Sequence, residues 1–345
     1  MLKRFLSFAL LLLSACIDPI DFNHKNQQEH LVVEGSFTNM AGINYVRLTY
    51  ALPYTYPYNK FEEKAYVTVS SMEGEQFYFV YDRAGYYYPA DVESTFGIPG
   101  HTYTLQISVG DKVYRSESIT LKQPVPIGQV HFAIDEQTFA LEGKKEKKKH
   151  MGYQVLMDYQ DPAQERNYYR WSFARQYELL TQPWDYLNDM GDPAPKNCCA
   201  RCWIQEKEET FTVSDDRLTD GKNVINKEVL FIPFEKYLQA RYKMKVYQHA
   251  ITADAYEFYR IMGQQKESTG TVFDPPPSEI RGNMHSASAA SQGEQVLGFF
   301  DVSGVVMHEV DIKAEEIPYP VGIFMHPDDC RELPGATDQQ PADWQ

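Results

Sequence analysis

The sequence lacks the short motifs that most often identify an enzyme. It contains no G-x-S-x-G, no P-loop, no G-x-G-x-x-G after a strand and no H-E-x-x-H. Positive charge is also scarce, with 33 Lys and Arg against 48 Asp and Glu and a net charge of −15. A chain this acidic is repelled by nucleic acid and by anionic membrane surfaces. We therefore expect no nucleic-acid partner, no cofactor, no metal site and no catalytic residues. The acidic pairs Asp215-Asp216 and Asp328-Asp329 are interpreted as solvated loop residues.

Long apolar runs are equally scarce. One such run covers residues 5–13, follows two cations and leads into Leu-Ser-Ala before Cys16. It is too short to span a bilayer, which takes about 20 apolar residues. This order is typical of a secretory signal peptide, and a cysteine at this point resembles a bacterial lipobox. We expect residues 1–15 to be the signal peptide, Cys16 to carry acyl chains, and residues 16–29 to form a polar tether. An ordinary signal peptide with an incidental cysteine is the alternative.

The remaining chain is rich in aromatic residues, with 25 Tyr and 19 Phe. Short tyrosine-rich runs separated by Gly, Pro, Asn and Asp favour a mainly β fold. We predict two domains. Residues 30–124 would form an immunoglobulin-like or fibronectin-III-like sandwich. Residues 125–345 would form a larger β-rich domain with one main α-helix, which Thr252 is expected to cap.

The most specific local signal for the sandwich is the Pro99-Gly100 turn. It leads into a strand that places Tyr103, Leu105 and Ile107 on one face. This arrangement resembles the tyrosine corner of immunoglobulin-like domains.

Five cysteines are present, and Cys16 is assigned to the lipid. An exported chain meets oxidising conditions, so disulfides are expected among Cys198, Cys199, Cys202 and Cys330. Four cysteines allow three pairings. A bridge between adjacent residues would strain the peptide, which leaves Cys198–Cys202 with Cys199–Cys330, or Cys199–Cys202 with Cys198–Cys330. A redox C-x-x-C and a zinc site that recruits His326 are weaker alternatives, because the loop context and the ligand spacing do not fit them.

Three alternate tyrosines, Tyr54, Tyr56 and Tyr58, would line one face of an extended segment. They are candidate ligand or partner contacts, since such rows can stack on sugars. A hydrophobic seam against the second domain is the alternative. The lysine-rich run 144–149 is interpreted as a solvated hairpin tip, with attraction of an acidic partner as the alternative.

Several of these segments together resemble the domain-of-unknown-function family 4249. The resemblance rests on the lipobox and on these motifs: Leu31-Val32-Val33-Glu34-Gly35, Pro99-Gly100 with Tyr103, the Cys-Cys-x-x-Cys cluster, Phe273-Asp274-Pro275-Pro276-Pro277 with Gly282-Asn283, Val296-Leu297-Gly298-Phe299-Phe300, and Asp329-Cys330-Arg331 with Trp344. It implies an outer-membrane lipoprotein of Bacteroidota, often encoded beside a TonB-dependent receptor. It implies no established reaction and no catalytic residues.

From these observations we expect a lipoprotein anchored in the outer membrane, on its periplasmic or its outer face. Its expected role is a non-enzymatic accessory or binding subunit of a TonB-dependent β-barrel transporter. An independent glycan- or peptide-binding surface module is the alternative. A hydrolase that uses carboxylates is less favoured, although glycosidase carboxylates need no linear motif.

Overall fold

Strands make up most of the computed structural model, which describes residues 29–52, 58–139, 146–234, 240–267, 280–316 and 327–344. The predicted mainly β fold is confirmed. The strands up to residue 124 are β1 (His30–Thr38), β2 (Tyr45–Ala51), β3 (Lys60–Phe61), β4 (Tyr66–Ser71), β5 (Gln76–Tyr81), β6 (Tyr86–Pro89), β7 (Thr102–Val109), β8 (Lys112–Ser116) and β9 (Ile119–Thr120). The strands that follow are β10 (Ile127–Phe139), β11 (Lys148–Gln160), β12 (Tyr168–Leu180), β13 (Arg201–Asp215), β14 (Asn223–Pro233), β15 (Tyr242–Ile251), β16 (Met284–Ser286), β17 (Leu297–Ile312) and β18 (Ala336–Thr337). Within the described ranges, the α-helix is α1 (Ala253–Glu267).

The strands form one large sheet and one small sheet. The large sheet runs β16-β8-β7-β4-β5-β6-β2-β1-β17-β15-β12-β13-β18, and the small sheet runs β10-β11-β14. Period-two alternation buries one face of each strand. In β7, for example, Tyr103, Leu105 and Ile107 are fully buried, whereas the residues between them are partly exposed.

Two hydrophobic cores result. The first lies within the folded-over N-terminal part of the large sheet, and the second lies between β12, β15, β17 and the small sheet. Strand β17 contributes to both, with Phe300 and Val302 in the first core and Val310 and Ile312 in the second. The predicted boundary between residues 124 and 125 stays a prediction, since residues far downstream of it complete the first core.

The junction between the two halves is the parallel pairing of β1 with β17. Its register runs from Val32 opposite Leu297 to Thr38 opposite Ser303. Gly298 adopts a φ of +92°, and a Cβ there would overlap the backbone of Val33. A glycine is therefore required for β1 and β17 to approach this closely.

Residues of the Gly-Asn motif complete the same junction. A Cβ on Gly282 would overlap the carbonyl of Gly298. The buried Asn283 side chain accepts a hydrogen bond from the Phe300 N–H at 2.9 Å and donates one to the Phe300 carbonyl at 2.8 Å. Three of the motifs that support the family resemblance thus meet at one place and serve packing.

Tyr103 makes a hydrogen bond of the kind found in a tyrosine corner. The Ile98 N–H donates to the Tyr103 hydroxyl at 2.7 Å, and the hydroxyl lies 3.2 Å from Glu75 Oε2. The closer likeness to an immunoglobulin or fibronectin type III domain stays a prediction, because these strands follow one continuous hydrogen-bonded path instead of forming two separate sheets.

Helix α1 packs on the outer face of the large sheet near the junction. Thr252 Oγ1 accepts a hydrogen bond from the Ala255 N–H at 3.2 Å, as expected for its N-terminal cap. Ala255 is fully buried, and Phe258 and Tyr259 pack towards Phe299 of β17. In the described part of the chain, no helix is long and apolar enough to cross a membrane.

Candidate functional site

The cysteine cluster joins the C-terminal tail to the start of β13. Cys202 is bonded to Cys330, and Cys198 is bonded to Cys199. Both pairings left open by the sequence are therefore wrong, although the tail is tied to the cluster as expected. The peptide bond between Cys198 and Cys199 is cis, and their Cα atoms lie 3.1 Å apart. An ordinary trans peptide keeps neighbouring Cα atoms 3.8 Å apart.

The disulfides also argue against the two alternative roles of this cluster, a zinc site and a redox C-x-x-C. Zinc binding requires cysteine thiolates, but all four sulfurs are bonded in pairs. A redox C-x-x-C requires a disulfide between its own two cysteines in the oxidised form. The C-x-x-C cysteines, Cys199 and Cys202, are not bonded to each other. His326 lies outside the described residues. The cluster is thus a structural clasp, and the Cys330 N–H donates to the Cys199 carbonyl at 3.0 Å to align it.

Most of the other predicted site residues fall outside the described ranges. Cys16, Tyr54 and Tyr56 are among them. Tyr58 is described and is 75% exposed, which agrees with a contact residue and disagrees with a seam residue. It stands two positions before Lys60, whose side chain lines a cleft.

This cleft has a volume of about 600 Å³ and lies at the end of the first half where the tether is expected to enter. We call it the tether-end cleft. Its size is within the range of small-ligand sites, roughly 300–1,000 Å³. It is lined by the start of β1, the end of β2, the β7–β8 hairpin and the residues before β17: Glu29, His30, Leu31, Tyr50, Lys60, Val109, Gly110, Asp111, Lys112, Tyr114, Glu294 and Gln295.

Opposite charges are paired around the cleft. Lys112 Nζ lies 2.5 Å from Glu294 Oε1, and the Tyr114 hydroxyl donates to Glu294 Oε2 at 2.7 Å. On the other side, Lys60 pairs with Glu29 and its Nζ lies 4.7 Å from the centre of the Tyr50 ring. The cleft therefore offers aromatic rings together with hydrogen-bond donors and acceptors, and its cations are matched by carboxylates.

The ionisation states of these groups follow from their partners. Burial, and then the hydrogen bond to Glu294, raises the pKa of Tyr114. Burial, and then the hydrogen bond to Glu62, does the same for the pKa of Tyr50. Lys112 and then Tyr114 lower the pKa of Glu294. Near neutral pH the tyrosines are thus neutral donors and Glu294 is a carboxylate. This arrangement suits recognition of a polar ligand.

A second cluster lies under helix α1 and was not found from the sequence. Arg170 on β12 and Asp301 on β17 form an ion pair of 3.1 Å, and both residues are buried. The Arg170 guanidinium lies 4.6 Å from the centre of the Tyr259 ring. Burial raises the pKa of Asp301, and Arg170 opposes that shift. The sequence signal that could have revealed this cluster is Arg170, a charged residue within an aromatic strand. Charged residues are rarely buried unless they are paired.

His249 brings this cluster close to the geometry of a Ser-His catalytic pair, with its Nε2 atom 2.8 Å from Ser172 Oγ. However, an Arg170 guanidinium nitrogen lies 3.2 Å from His249 Nδ1. Because arginine can only donate, Nδ1 is the acceptor and Nε2 carries the proton. His249 therefore donates to Ser172 and cannot accept its proton. Burial and then Arg170 also lower the pKa of His249.

A third group, Asp161, Asp216 and Asp220, has its carboxylate oxygens within 4.8 Å of one another. Such oxygens are the ligands that hard cations prefer. Each already accepts a hydrogen bond: Asp161 from the Tyr169 hydroxyl at 2.5 Å, Asp216 from a backbone N–H at 2.6 Å, and Asp220 from another at 3.1 Å. These bonds hold the β11–β12 and β13–β14 loops together.

The prediction that the two acidic pairs are solvated is wrong for one member of each. Asp216 is 3% exposed and Asp329 is 6% exposed. Asp329 accepts a hydrogen bond from the Arg331 backbone N–H at 2.9 Å and pairs with the Arg331 guanidinium. Both carboxylates fix loop geometry, which explains their burial.

A family comparison agrees with the motifs that meet at the β1–β17 junction. Residues 17–309 match the model of the family described as domain of unknown function DUF4249. The chain belongs to this family, as the resemblance predicted. No curated protein matches the chain.

Proposed function

We propose that this protein is a lipid-anchored, non-enzymatic subunit that works beside an outer-membrane β-barrel transporter, and that the tether-end cleft is its contact with that barrel. The observation that supports this most directly is the position of the cleft. Glu29 and His30, the first described residues, form part of its wall. With Cys16 acylated, thirteen residues connect the lipid to the cleft. They span at most about 45 Å even when fully extended.

This geometry limits what the cleft can meet. A surface held within that distance of the bilayer encounters the loops and turns of membrane proteins at high local concentration. The acyl chains hold the protein at the membrane, because its net charge of −15 opposes binding to anionic lipid. Paired charges and two tyrosine rings, as found in the cleft, suit a polar protein loop.

A glycan ligand is the second candidate, and Tyr58 is the observation that favours it. Its ring is 75% exposed. The segment 53–57, which carries Tyr54 and Tyr56, joins the β2 wall of the cleft to the β3 wall. Aromatic rings beside carboxylates and lysines can stack on sugar rings and bind their hydroxyls. As a glycan-binding protein, it would capture a glycan for the transporter or act as an independent module.

Site-specific photo-cross-linking tests the proposal. A photoreactive phenylalanine replaces Tyr58 in the full-length protein, and intact cells are irradiated before mass spectrometry. Met72 is the matched control, because it is 77% exposed. It follows the end of β4 that pairs with Tyr103, whereas the cleft lies near the other end, where β4 pairs with Ser108. We expect a β-barrel protein to be captured from position 58 and not from position 72. Equal capture at both positions, or none at either, would overturn the assignment of the cleft.

Lipidation needs its own test, because the argument on reach depends on it. Metabolic labelling with an alkyne fatty acid should mark the wild-type protein. Cys16→Ser should abolish the label and release the protein from the membrane fraction. A Cys16→Ser protein that still carries the label would contradict the anchor.

A further inference from the structure

Strand β10 is the outer strand of the small sheet and is unusually long for an edge. It pairs with β11 from Ile127 opposite Tyr159 to Phe139 opposite Lys148. Within the described ranges, no strand pairs with its other side. Thirteen residues at about 3.4 Å each give an edge of roughly 44 Å. Along this edge every second residue offers its backbone N–H and C=O for pairing.

Natural proteins usually protect such an edge, and β10 carries little protection. It contains no proline, and its register with β11 shifts only between Ile127 and Val130. Most of its residues are exposed or half-buried, including Ile134 at 41% exposure. A long, regular and accessible edge is a template for another strand.

The sequence of β10 is complementary to itself in the antiparallel direction. If two copies pair about a two-fold axis at Ala133, Phe132 faces Ile134 and His131 faces Asp135. Further out, the register shift between Ile127 and Val130 interrupts the ladder, so the regular part of the pairing covers residues 130–136. Directly opposed apolar pairs stabilise an antiparallel ladder, and the His131 ring can donate a hydrogen bond to the Asp135 carboxylate opposite it.

One opposition is less favourable, since Val130 would face Glu136. The Glu136 carboxylate is already engaged by Lys149 of its own chain at 2.6 Å. The mismatch therefore leaves no carboxylate without a cation. Every pair away from Ala133, including Val130 with Glu136, occurs twice because of the two-fold symmetry.

We propose that two copies of this protein associate through β10. The two small sheets then form one six-stranded antiparallel sheet, in the order β14-β11-β10-β10-β11-β14. The same surface serves both partners, as in other two-fold interfaces. The contact lies on a different part of the chain from the tether-end cleft, so each copy keeps its cleft.

Cysteine cross-linking tests the register directly. Ala133→Cys in the full-length protein places one thiol of each copy at the two-fold axis. Opposed Cα atoms in antiparallel strands lie about 4.5–5.5 Å apart, within disulfide range. We expect mild oxidation of intact membranes to give a covalent dimer on non-reducing electrophoresis. The four described cysteines are already paired and do not interfere.

The matched control is His131→Cys, whose thiol would face Asp135 and not itself. It should give no dimer, whereas the double variant His131→Cys/Asp135→Cys should give one. Equal dimer from Ala133→Cys and His131→Cys would overturn the proposed register. No dimer from Ala133→Cys, together with a monomeric mass for the detergent-extracted protein, would overturn the association. That result holds also if another protein covers the edge.

Charge reversal provides a second measurement that needs no new thiol. Asp135→Lys should weaken the dimer roughly tenfold in analytical ultracentrifugation, because two symmetry-related pairs are lost at once. Adding His131→Glu should restore it. An Asp135→Lys protein that dimerises as tightly as the wild type would contradict the pairing of residues 131 and 135.

Discussion

Removing either partner of the Arg170–Asp301 ion pair should strongly destabilise the protein. Asp301 is 1% exposed and Arg170 is 8% exposed. Neither charge can therefore be hydrated when its partner is lost. Removing one member of a buried pair typically costs about 3–5 kcal/mol, because the other charge remains buried and unpaired. We expect costs in this range for Arg170→Met and for Asp301→Asn.

The double variant should cost much less than the sum of the two single changes. With both charges removed, the remaining penalty is the burial of one incompletely bonded amide, about 1–3 kcal/mol. The coupling energy from the double-mutant cycle should therefore be at least about 3 kcal/mol. Urea unfolding followed by tryptophan fluorescence measures these values, since the neighbouring Trp171 is fully buried.

The two single variants should also differ in their response to pH. In the wild type, burial raises the pKa of Asp301 and Arg170 partly opposes this. Without Arg170 the pKa of the carboxyl rises further, so the folded state holds its proton more tightly than the unfolded chain. Stability is then lost as pH rises above the unfolded value of about 4 and through the folded pKa. Arg170→Met should thus be less destabilised at pH 5 than at pH 8.

Asp301→Asn should not show this relief, because arginine stays charged throughout that range. Because the Asn variant also loses the low-pH contribution of the raised Asp301 pKa, its cost should be no smaller at pH 5 than at pH 8. Additive single costs would refute the idea that the pair acts as a unit. Equal pH responses of the two variants would refute the assignment of the titrating group.

Three further changes test other parts of the structure. Gly298→Ala should cost more than about 3 kcal/mol, because a Cβ there overlaps the backbone of β1 at a φ of +92°. Its control is Gly293→Ala, which has a φ of +81° with open space around it and should cost only about 1 kcal/mol. Replacing Cys202 and Cys330 by serine should destabilise the chain by about 4–5 kcal/mol in the entropy model, since the bridge joins residues 128 apart. Asp329→Asn should cost about 1–2 kcal/mol at pH 7, because its arginine partner holds the Asp329 pKa at about 2 and is itself half-exposed.

Thermal and urea unfolding measure the first two changes. Equal costs for the two glycine variants would contradict the close approach at the junction. An unchanged unfolding midpoint in the serine variant would contradict the clasp. For Asp329, the lowered pKa means that the stabilisation is complete above pH 4 and is lost as pH falls towards 2. The difference between wild type and Asp329→Asn should therefore shrink as pH falls from 4 through 2, and a constant difference would exclude this carboxylate as the cause.

Features that depend on neighbours in sequence could be predicted. The Tyr103 corner and the Thr252 cap each join residues no more than five positions apart, so turn and cap chemistry was enough to find them. Features that join distant segments were missed. The partners Arg170 and Asp301 are 131 positions apart, and no pattern within one strand reveals which partner will neutralise a buried charge.

Two segments were interpreted incorrectly for physical reasons. Taken by themselves, residues 296–302 and 305–310 each predict a separate strand broken at Gly304, whereas they form the single strand β17. A glycine there is required because a Cβ would overlap the backbone of Lys122 and Gln123, which crosses the strand. The disulfide pairing was wrong because excluding a bridge between Cys198 and Cys199 assumed an ordinary peptide geometry.

The parallel pairing of the first strand with the last long strand has a consequence for biogenesis. The N-terminal core lacks Phe300 and Val302 until almost the whole chain has been made. A nascent chain shorter than about 300 residues therefore cannot complete its first core, and contacts this distant in sequence form slowly. The topology therefore delays completion of the N-terminal core until synthesis of the chain is nearly finished.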